Sequence, residues 1–363
     1  MVNSSDISET ELLLEYNKTE KGMDVIRNLL KDHTTQQNIY WATDSYVEKG
    51  DGYSFYDPIT IEKITGENDK VIRPRAVKSK EEQTQRARDK AEVFTPSWVC
   101  NAQNNLIDEA WFGRSEGLFN SPDPKDPQKW INNEEKIVFP HGKSWKDYVA
   151  DMRLEITCGE APYLANRYDA VTGEYNIKAK YRIGILDRKL RIVSENTKDS
   201  KEWILWAKVA LRSTYGFEWQ GDNLLLAREA LFFTFAEHYI EQFGERKFNQ
   251  NKMRMMPGVA YIVSWNIWQM DGLKYGLPGY EPYIEKELEE EAPNQMSLFD
   301  NDNFQVEVEK HEILPHERLC LIKDFLDGVN LKKATLSKQD FHDLKAPKVT
   351  FESLVNKKNN KTS

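Results

Sequence analysis

The 363-residue sequence has no apolar run of the roughly 18 to 20 residues that a membrane-spanning helix needs, so no membrane partner is expected. It also lacks a basic excess. Fifty Lys and Arg stand against 59 Asp and Glu, a net charge of −9, which argues against a protein that coats nucleic acid through bulk charge. Only three cysteines occur, Cys100, Cys158 and Cys320, far apart and without a Cys-x-x-Cys pair, so neither a disulfide scaffold nor a zinc ribbon is supported. The six histidines are scattered, and no Cys or acidic cluster completes a metal site around them. Residues 1–16 are acidic and lack the basic-then-apolar order of a signal peptide. No internal repeat is visible. Together these absences predict a cytoplasmic protein. What is present is core-forming material: 39% hydrophobic and 12% aromatic residues exclude the disordered class. At roughly 150 residues per domain, the length corresponds to about two domains.

Composition divides the chain into four segments. Residues 1–90 read as a helical and then mixed N-terminal region, with Leu13, Leu14, Met23, Ile26, Leu29 and Leu30 forming an amphipathic pattern over 11–31. The Gly-, Asp- and Tyr-rich stretch 43–67 predicts turns with short strands. A basic run follows: Lys70, Arg73, Arg75, Lys78, Lys80, Arg86, Arg88 and Lys90. It reads either as a solvated face or as a strip of cations suited to a phosphate backbone. Residues 91–280 alternate in character. Strand-like 153–157 ends in a glycine turn, 204–212 is helical, 213–218 is strand-like and 222–243 is a long helix. Pro257 and Gly258 predict a break before a further apolar run, 259–267. Such alternation predicts an α/β fold with a parallel sheet. Residues 281–310 carry ten acidic residues against two lysines and read as a disordered acidic linker. Residues 311–363 read as a short helical or basic C-terminal segment.

In a parallel α/β sheet, ligands bind beyond the carboxyl ends of the strands, so the residues after each predicted strand are the candidates. The first strand leads through Leu154-Glu-Ile-Thr-Cys-Gly-Glu-Ala-Pro-Tyr-Leu164. Gly159 there permits close backbone approach to a ligand, or simply a tight turn. The second strand ends at Glu218, an acid able to accept both hydroxyls of a ribose, or else an exposed strand-end acid. Beyond the third stands Asp271, able to accept a hydrogen bond from an adenine amino group. Cys158 has the placement of a nucleophile, but no histidine partner can be named for it. Trp98, Trp111, Trp203, Trp206, Trp219, Trp265 and Trp268 read as core fillers.

These residues resemble, in order, the motifs of adenine-specific, N6-type DNA methyltransferases of restriction–modification systems, including proteins labelled restriction endonuclease subunit M. Ala91-Glu-Val-Phe-Thr-Pro96 looks like the family's opening Phe-Thr-Pro element, which lies over the methionine moiety of S-adenosylmethionine. Leu154 to Leu164 is similar to the first motif. Thr214-Tyr-Gly-Phe-Glu218 with Asn223-Leu-Leu-Leu-Ala-Arg228 resembles the second, in which Glu218 would hold the cofactor ribose. Residues 263–273 look like the third, with Asp271 near the cofactor adenine. The resemblance implies a Rossmann-like, S-adenosylmethionine-dependent methyltransferase domain over 91–280. It would be preceded by the helical N-terminal region and followed by a flexible C-terminal extension. It further implies that Phe94, Thr95, Pro96, Thr157, Gly159, Glu218 and Asp271 bind S-adenosylmethionine, that double-stranded DNA is the substrate, and that a restriction or specificity subunit is a partner.

Two departures stand out. Ala161 occupies the place of the family's second glycine, and its methyl is expected to crowd the cofactor. The family's Asn/Asp-Pro-Pro-Tyr motif, which hydrogen-bonds the target amine and stacks on the flipped base, is absent. The nearest string, Leu277-Pro-Gly-Tyr-Glu-Pro-Tyr283, has no Asn or Asp before its prolines, so the catalytic residues stay unassigned. An adenine-N6 DNA methyltransferase or modification subunit of a restriction–modification or phage-defence system is the leading expectation. A catalytically silent relative that binds DNA or partners, or one half of a split enzyme, is the alternative. Within the acidic segment, Gln295-Met-Ser-Leu-Phe299 resembles the peptide by which bacterial proteins dock on the sliding clamp. There Gln295 would set orientation while Leu298 and Phe299 enter an apolar pocket. The other reading of that peptide is an apolar patch folded back on the domain. Residues 281–310 contribute −8 of the −9, so the remainder is near neutral and compatible with a DNA-facing groove.

Overall fold

The computed structural model describes residues 20–90, 92, 95–114, 117–174, 178–279, 285–288, 307–310, 319–330 and 343–362. In chain order these form α1 (Glu20–Leu30), α2 (Lys80–Lys90), α3 (Ser97–Phe112), the hairpin β1 (Asn120–Asp123) and β2 (Asp126–Asn132), and α4 (Trp145–Ala150). Then come β3 (Arg153–Glu155), α5 (Ile185–Asn196), α6 (Ser200–Arg212), β4 (Thr214–Glu218), α7 (Gly221–Phe243), α8 (Glu245–Asn266) and β5 (Ile267–Gln269). The last elements are β6 (Glu285–Leu288), β7 (Glu307–Lys310), β8 (Leu321–Lys323), β9 (Lys348–Thr350) and α9 (Phe351–Thr362).

The centre is a small parallel sheet in the order β3-β4-β5, giving a mixed α/β fold. Leu154 lies beside Tyr215 and Phe217 beside Trp268. All five residues of β4 are buried, as a middle strand covered on both faces requires. Strand alternation sends Tyr215 and Phe217 to one face, where they pack with Trp268, Met270, Cys320, Ile322 and Leu354. The C-terminal β8–β9 pair and α9 therefore supply a second, smaller core. Helices α5 to α8 build the larger core, which also takes in Val25, Leu29, Trp41 and Ile59 from the N-terminal region and Phe325 and Ala346 from the C-terminal one. Arg212 grips Asp343 with two buried hydrogen bonds of 2.7 and 2.5 Å, tying the C-terminal piece to α6.

Local chemistry explains several boundaries. Asp199 caps α6, its carboxylate accepting the N–H groups of Lys201 and Glu202 at 2.8 and 2.9 Å. Gly221 opens α7 because nothing larger fits: a Cβ would stand 1.9 Å from the Tyr40 carbonyl oxygen. Its N–H donates to the Trp41 carbonyl at 2.9 Å. Gln269 completes this docking. Its amide accepts the Tyr40 N–H and donates to the Tyr40 carbonyl, both at 2.9 Å, in the manner of a ladder rung.

Three expectations are corrected. Helix α8 runs through Pro257 and Gly258 without a break, and the strand after it is only Ile267–Gln269. An interior proline costs about 3 kcal/mol. The burial of Met255, Met256, Val259, Ile262 and Val263 along one continuous helix outweighs that cost. Residues 43–67 form turns and short 3-10 segments rather than strands. Within the acidic 281–310 segment, β6 and β7 pair antiparallel instead of forming a featureless linker. Their register sets Glu285 against Lys310 and Lys286 against Glu309, opposite charges that favour the pairing. Among the described residues, no helix is long and apolar enough to cross a membrane.

Candidate functional site

The loop leaving β3 is wound into an uncommon shape. Thr157, Gly159 and Ala161 have φ of 48°, 54° and 61°, so every second residue is left-handed. Only glycine adopts this region freely; each other residue there costs on the order of 1–3 kcal/mol and persists only when its surroundings enforce it. Carboxylates and strands do the enforcing. Glu155 accepts the N–H of Leu164 at 3.2 Å and of Tyr163 at 3.4 Å. Glu218 accepts the N–H of Gly159 at 2.9 Å and of Gln220 at 3.2 Å. Cys158 donates its N–H to the Phe217 carbonyl at 2.8 Å. Gly216 underneath leaves room, since a Cβ there would lie 3.2 Å from both the Cys158 sulfur and Leu164.

Beyond the carboxyl ends of β3 and β4 this loop borders a cleft of about 530 Å³, within the range of small-molecule sites. Three carboxyl groups line it, from Glu92, Glu155 and Glu218, and among the described residues no Lys, Arg or His does. Tyr163 and Trp219 add aromatic surface. Burial pushes the Glu218 carboxyl up to about 7, against the lowering effect of the Gly159 and Gln220 N–H groups. Glu155 is raised well above the carboxylate range, by burial first and then by the neighbouring Glu218 charge.

A buried ion network backs the cleft. Arg86 reaches Glu92 at 2.5 Å and Asp222 at 2.8 Å, while Lys78 lies 3.6 Å from Asp222. Tyr46 donates its hydroxyl to Asp222 at 2.7 Å. Burial opposes the charge of Asp222, yet Arg86 and Lys78 hold its carboxyl below the usual range. The basic run is divided: Lys70, Lys80 and Arg88 are exposed, as a solvated face or phosphate strip requires, whereas Lys78 and Arg86 are interior ion partners. Arg73 pairs with Glu82 at 3.0 Å, and the backbone N–H of Arg75 donates to buried Glu160 at 2.6 Å.

Of the residues expected to bind cofactor, Thr95, Thr157, Gly159 and Glu218 meet in this cleft, drawn from three separate stretches of chain. Pro96 adjoins it as the cap of α3. Asp271 does not line it: its Oδ1 accepts the N–H of Leu273 at 2.7 Å and of Lys274 at 2.9 Å, closing a turn. Phe94, the string 280–283 and the clamp-like Gln295, Leu298 and Phe299 lie outside the described residues. Ala161 is fully buried in the main core and does not border the cleft, so its methyl takes no space from a ligand. The expected crowding gives way to backbone strain. Cys158 lines the cleft, but burial drives its thiol upward, which is the wrong direction for a nucleophile.

Sequence reasoning missed Glu92, Glu155, Asn223 and Trp219 as site residues. Glu155 lay in the middle of the predicted strand 153–157; because the strand ends at Glu155 itself, the acid stands at the strand end that borders the cleft. Trp203, Trp206, Trp265 and Trp268 fill cores as expected, whereas Trp219 faces the cleft and Trp98 is exposed. Among the described residues no cluster of His, Cys, Asp and Glu could hold a metal. No family model, curated protein or solved structure matches the chain.

Proposed function

We propose that the chain binds S-adenosylmethionine in the β3–β4 cleft and serves as an adenine-N6 DNA methyltransferase, or as the modification subunit of a restriction–modification or phage-defence system. The observation that carries this reading is the meeting of Thr95, Thr157, Gly159 and Glu218 in one cleft of suitable size. In this reading the three parallel strands β3-β4-β5 are the cofactor-bordering strands of a Rossmann-like methyltransferase sheet.

The side chains fit such a cofactor. Glu218 spends one lone pair on Gly159 and one on Gln220, leaving acceptor capacity for ribose hydroxyls. Glu92 and Asn223 each keep a buried oxygen without a partner, which donors on a ligand would satisfy. Tyr163 and Trp219 offer apolar faces for a purine. When bound, the cofactor supplies an electrophilic methyl group. The protein's work is to exclude water and align an extruded adenine, which needs positioning more than a strong base.

The sequence lacks Asn/Asp-Pro-Pro-Tyr, and that observation supports a second reading: a catalytically silent or split methyltransferase. Double-stranded DNA, a restriction or specificity subunit and, through Gln295, Leu298 and Phe299, a sliding clamp are its proposed partners. Transfer of labelled methyl to DNA by the purified chain decides between the two. Transfer by the chain alone establishes the enzyme. Photo-crosslinking of the labelled cofactor without transfer establishes the silent or split form. If no label attaches at all, the cofactor reading fails.

A further inference from the structure

The charge around the cleft restricts what it can hold, given the cofactor reading on which this inference rests. Arg86 and Lys78, the cations behind the cleft, are balanced by Glu92 and Asp222. Glu155 and Glu218 are different: among the described residues neither forms an ion pair, and each is held only by backbone N–H groups. Among the described residues no cation lines the cleft, and burial holds both carboxyls towards the protonated form, so a positive charge on a ligand is what would draw them into the ionised form and be stabilised by them in return.

A second observation points the same way. Asn223 and Glu92 are 1% and 7% exposed, both line the cleft, and the Asn223 amide donates to Glu92 Oε2 at 3.5 Å. Yet Asn223 Oδ1 and Glu92 Oε1 have no hydrogen-bond partner. A buried acceptor left bare costs about 1–3 kcal/mol, so one on each of two contacting side chains is a standing demand for donors. An ammonium group answers it best, with three N–H donors and a positive charge in one small volume.

We propose that the cleft selects for positive charge: Glu92 and Asn223 receive the ligand's ammonium group, and Glu155 and Glu218 favour the sulfonium form over its neutral thioether. S-adenosylmethionine carries a net positive charge through its sulfonium, whereas S-adenosylhomocysteine, the thioether left after methyl transfer, is net neutral. The cleft therefore holds the methyl donor more tightly than the spent product. Product leaves because the charge that retained the donor is gone.

Calorimetry on the full chain tests this with four probes: S-adenosylmethionine, sinefungin (an ammonium replaces the sulfonium), S-adenosylhomocysteine and methylthioadenosine (no amino-acid end). Both cationic probes should bind about tenfold or more tighter than S-adenosylhomocysteine, a ratio that one well-placed charge readily supplies. Asn223→Ala should weaken S-adenosylmethionine about tenfold while leaving methylthioadenosine unchanged, which also reports that the variant is folded. Equal or tighter binding of S-adenosylhomocysteine overturns the charge selection but leaves the cofactor reading intact. Equal loss of S-adenosylmethionine and methylthioadenosine in a folded Asn223→Ala protein overturns the ammonium assignment. If no probe binds the wild type, the cofactor reading itself has failed.

Discussion

The carboxylate of Glu218, at the end of the middle strand, accepts the backbone N–H of Gly159 at 2.9 Å across the mouth of the neighbouring strand. One contact thus joins the two strand ends between which the cleft opens. It also places an acid of raised pKa where its protonation reports on the fold. Burial moves Glu218 from 4.5 to about 7, and Glu160 likewise.

A carboxyl that stays protonated in the folded state but ionises in the unfolded one favours folding at low pH. That stabilisation is complete below about 4.5 and is lost as pH rises to about 7. The ligand-free protein is therefore expected to lose stability across that interval. Glu218→Gln, neutral at every pH, should flatten the decline by a few kcal/mol in denaturant titrations. An unchanged slope would show that Glu218 titrates normally.

Thr157 is a β-branched residue held at φ 48°, exposed, with its hydroxyl reaching only the adjacent Ile156 carbonyl. Thr157→Gly removes a strain of about 1–2 kcal/mol and little packing, partly offset by the greater freedom of an unfolded glycine. The net expectation is a gain of about 0.5–1 kcal/mol in urea denaturation. A loss of stability would mean that the threonine makes a contact that matters.

Gly221→Ala puts a methyl against the Tyr40 carbonyl oxygen, where no relaxation short of moving backbone can relieve it. The substitution should cost about 3 kcal/mol or more and detach residues 38–46 from α7, raising their hydrogen exchange. Unaltered exchange there would contradict the tight docking of these segments.

Asp343→Ala removes the carboxylate that takes two hydrogen bonds from the buried guanidinium of Arg212, an expected loss of about 3–5 kcal/mol. Replacing both residues with apolar ones, Arg212→Met with Asp343→Leu, should recover most of it. Equal loss in single and double variants would locate the cost elsewhere than in the loss of Arg212's carboxylate partner.

The middle of the fold was legible in the sequence because local and long-range preferences agree there. Helix α6, strand β4 and helix α7 fall where periodicity places them, and β4 delivers Glu218 to the cleft. Pro257 misled because a residue's propensity is local, while the apolar face that carries α8 past it is tertiary. Lys78 and Arg86 look like solvated cations until folding brings them to Asp222, 144 and 136 residues further along the chain, and Arg86 to Glu92, six residues on. The coverage of Tyr215 and Phe217 by residues beyond 319 left no signature at all, since three-residue strands carry too little pattern. Asp271 had the right position along the chain, but a turn claims its carboxylate.

Titration of S-adenosylmethionine into the wild-type chain and into Glu218→Ala tests the central claim most directly. The expected result is a single saturable site in the wild type, weakened about a hundredfold or more when the carboxylate is removed. Absence of heat from the wild type at high protein concentration, or equal binding by both proteins, would contradict it.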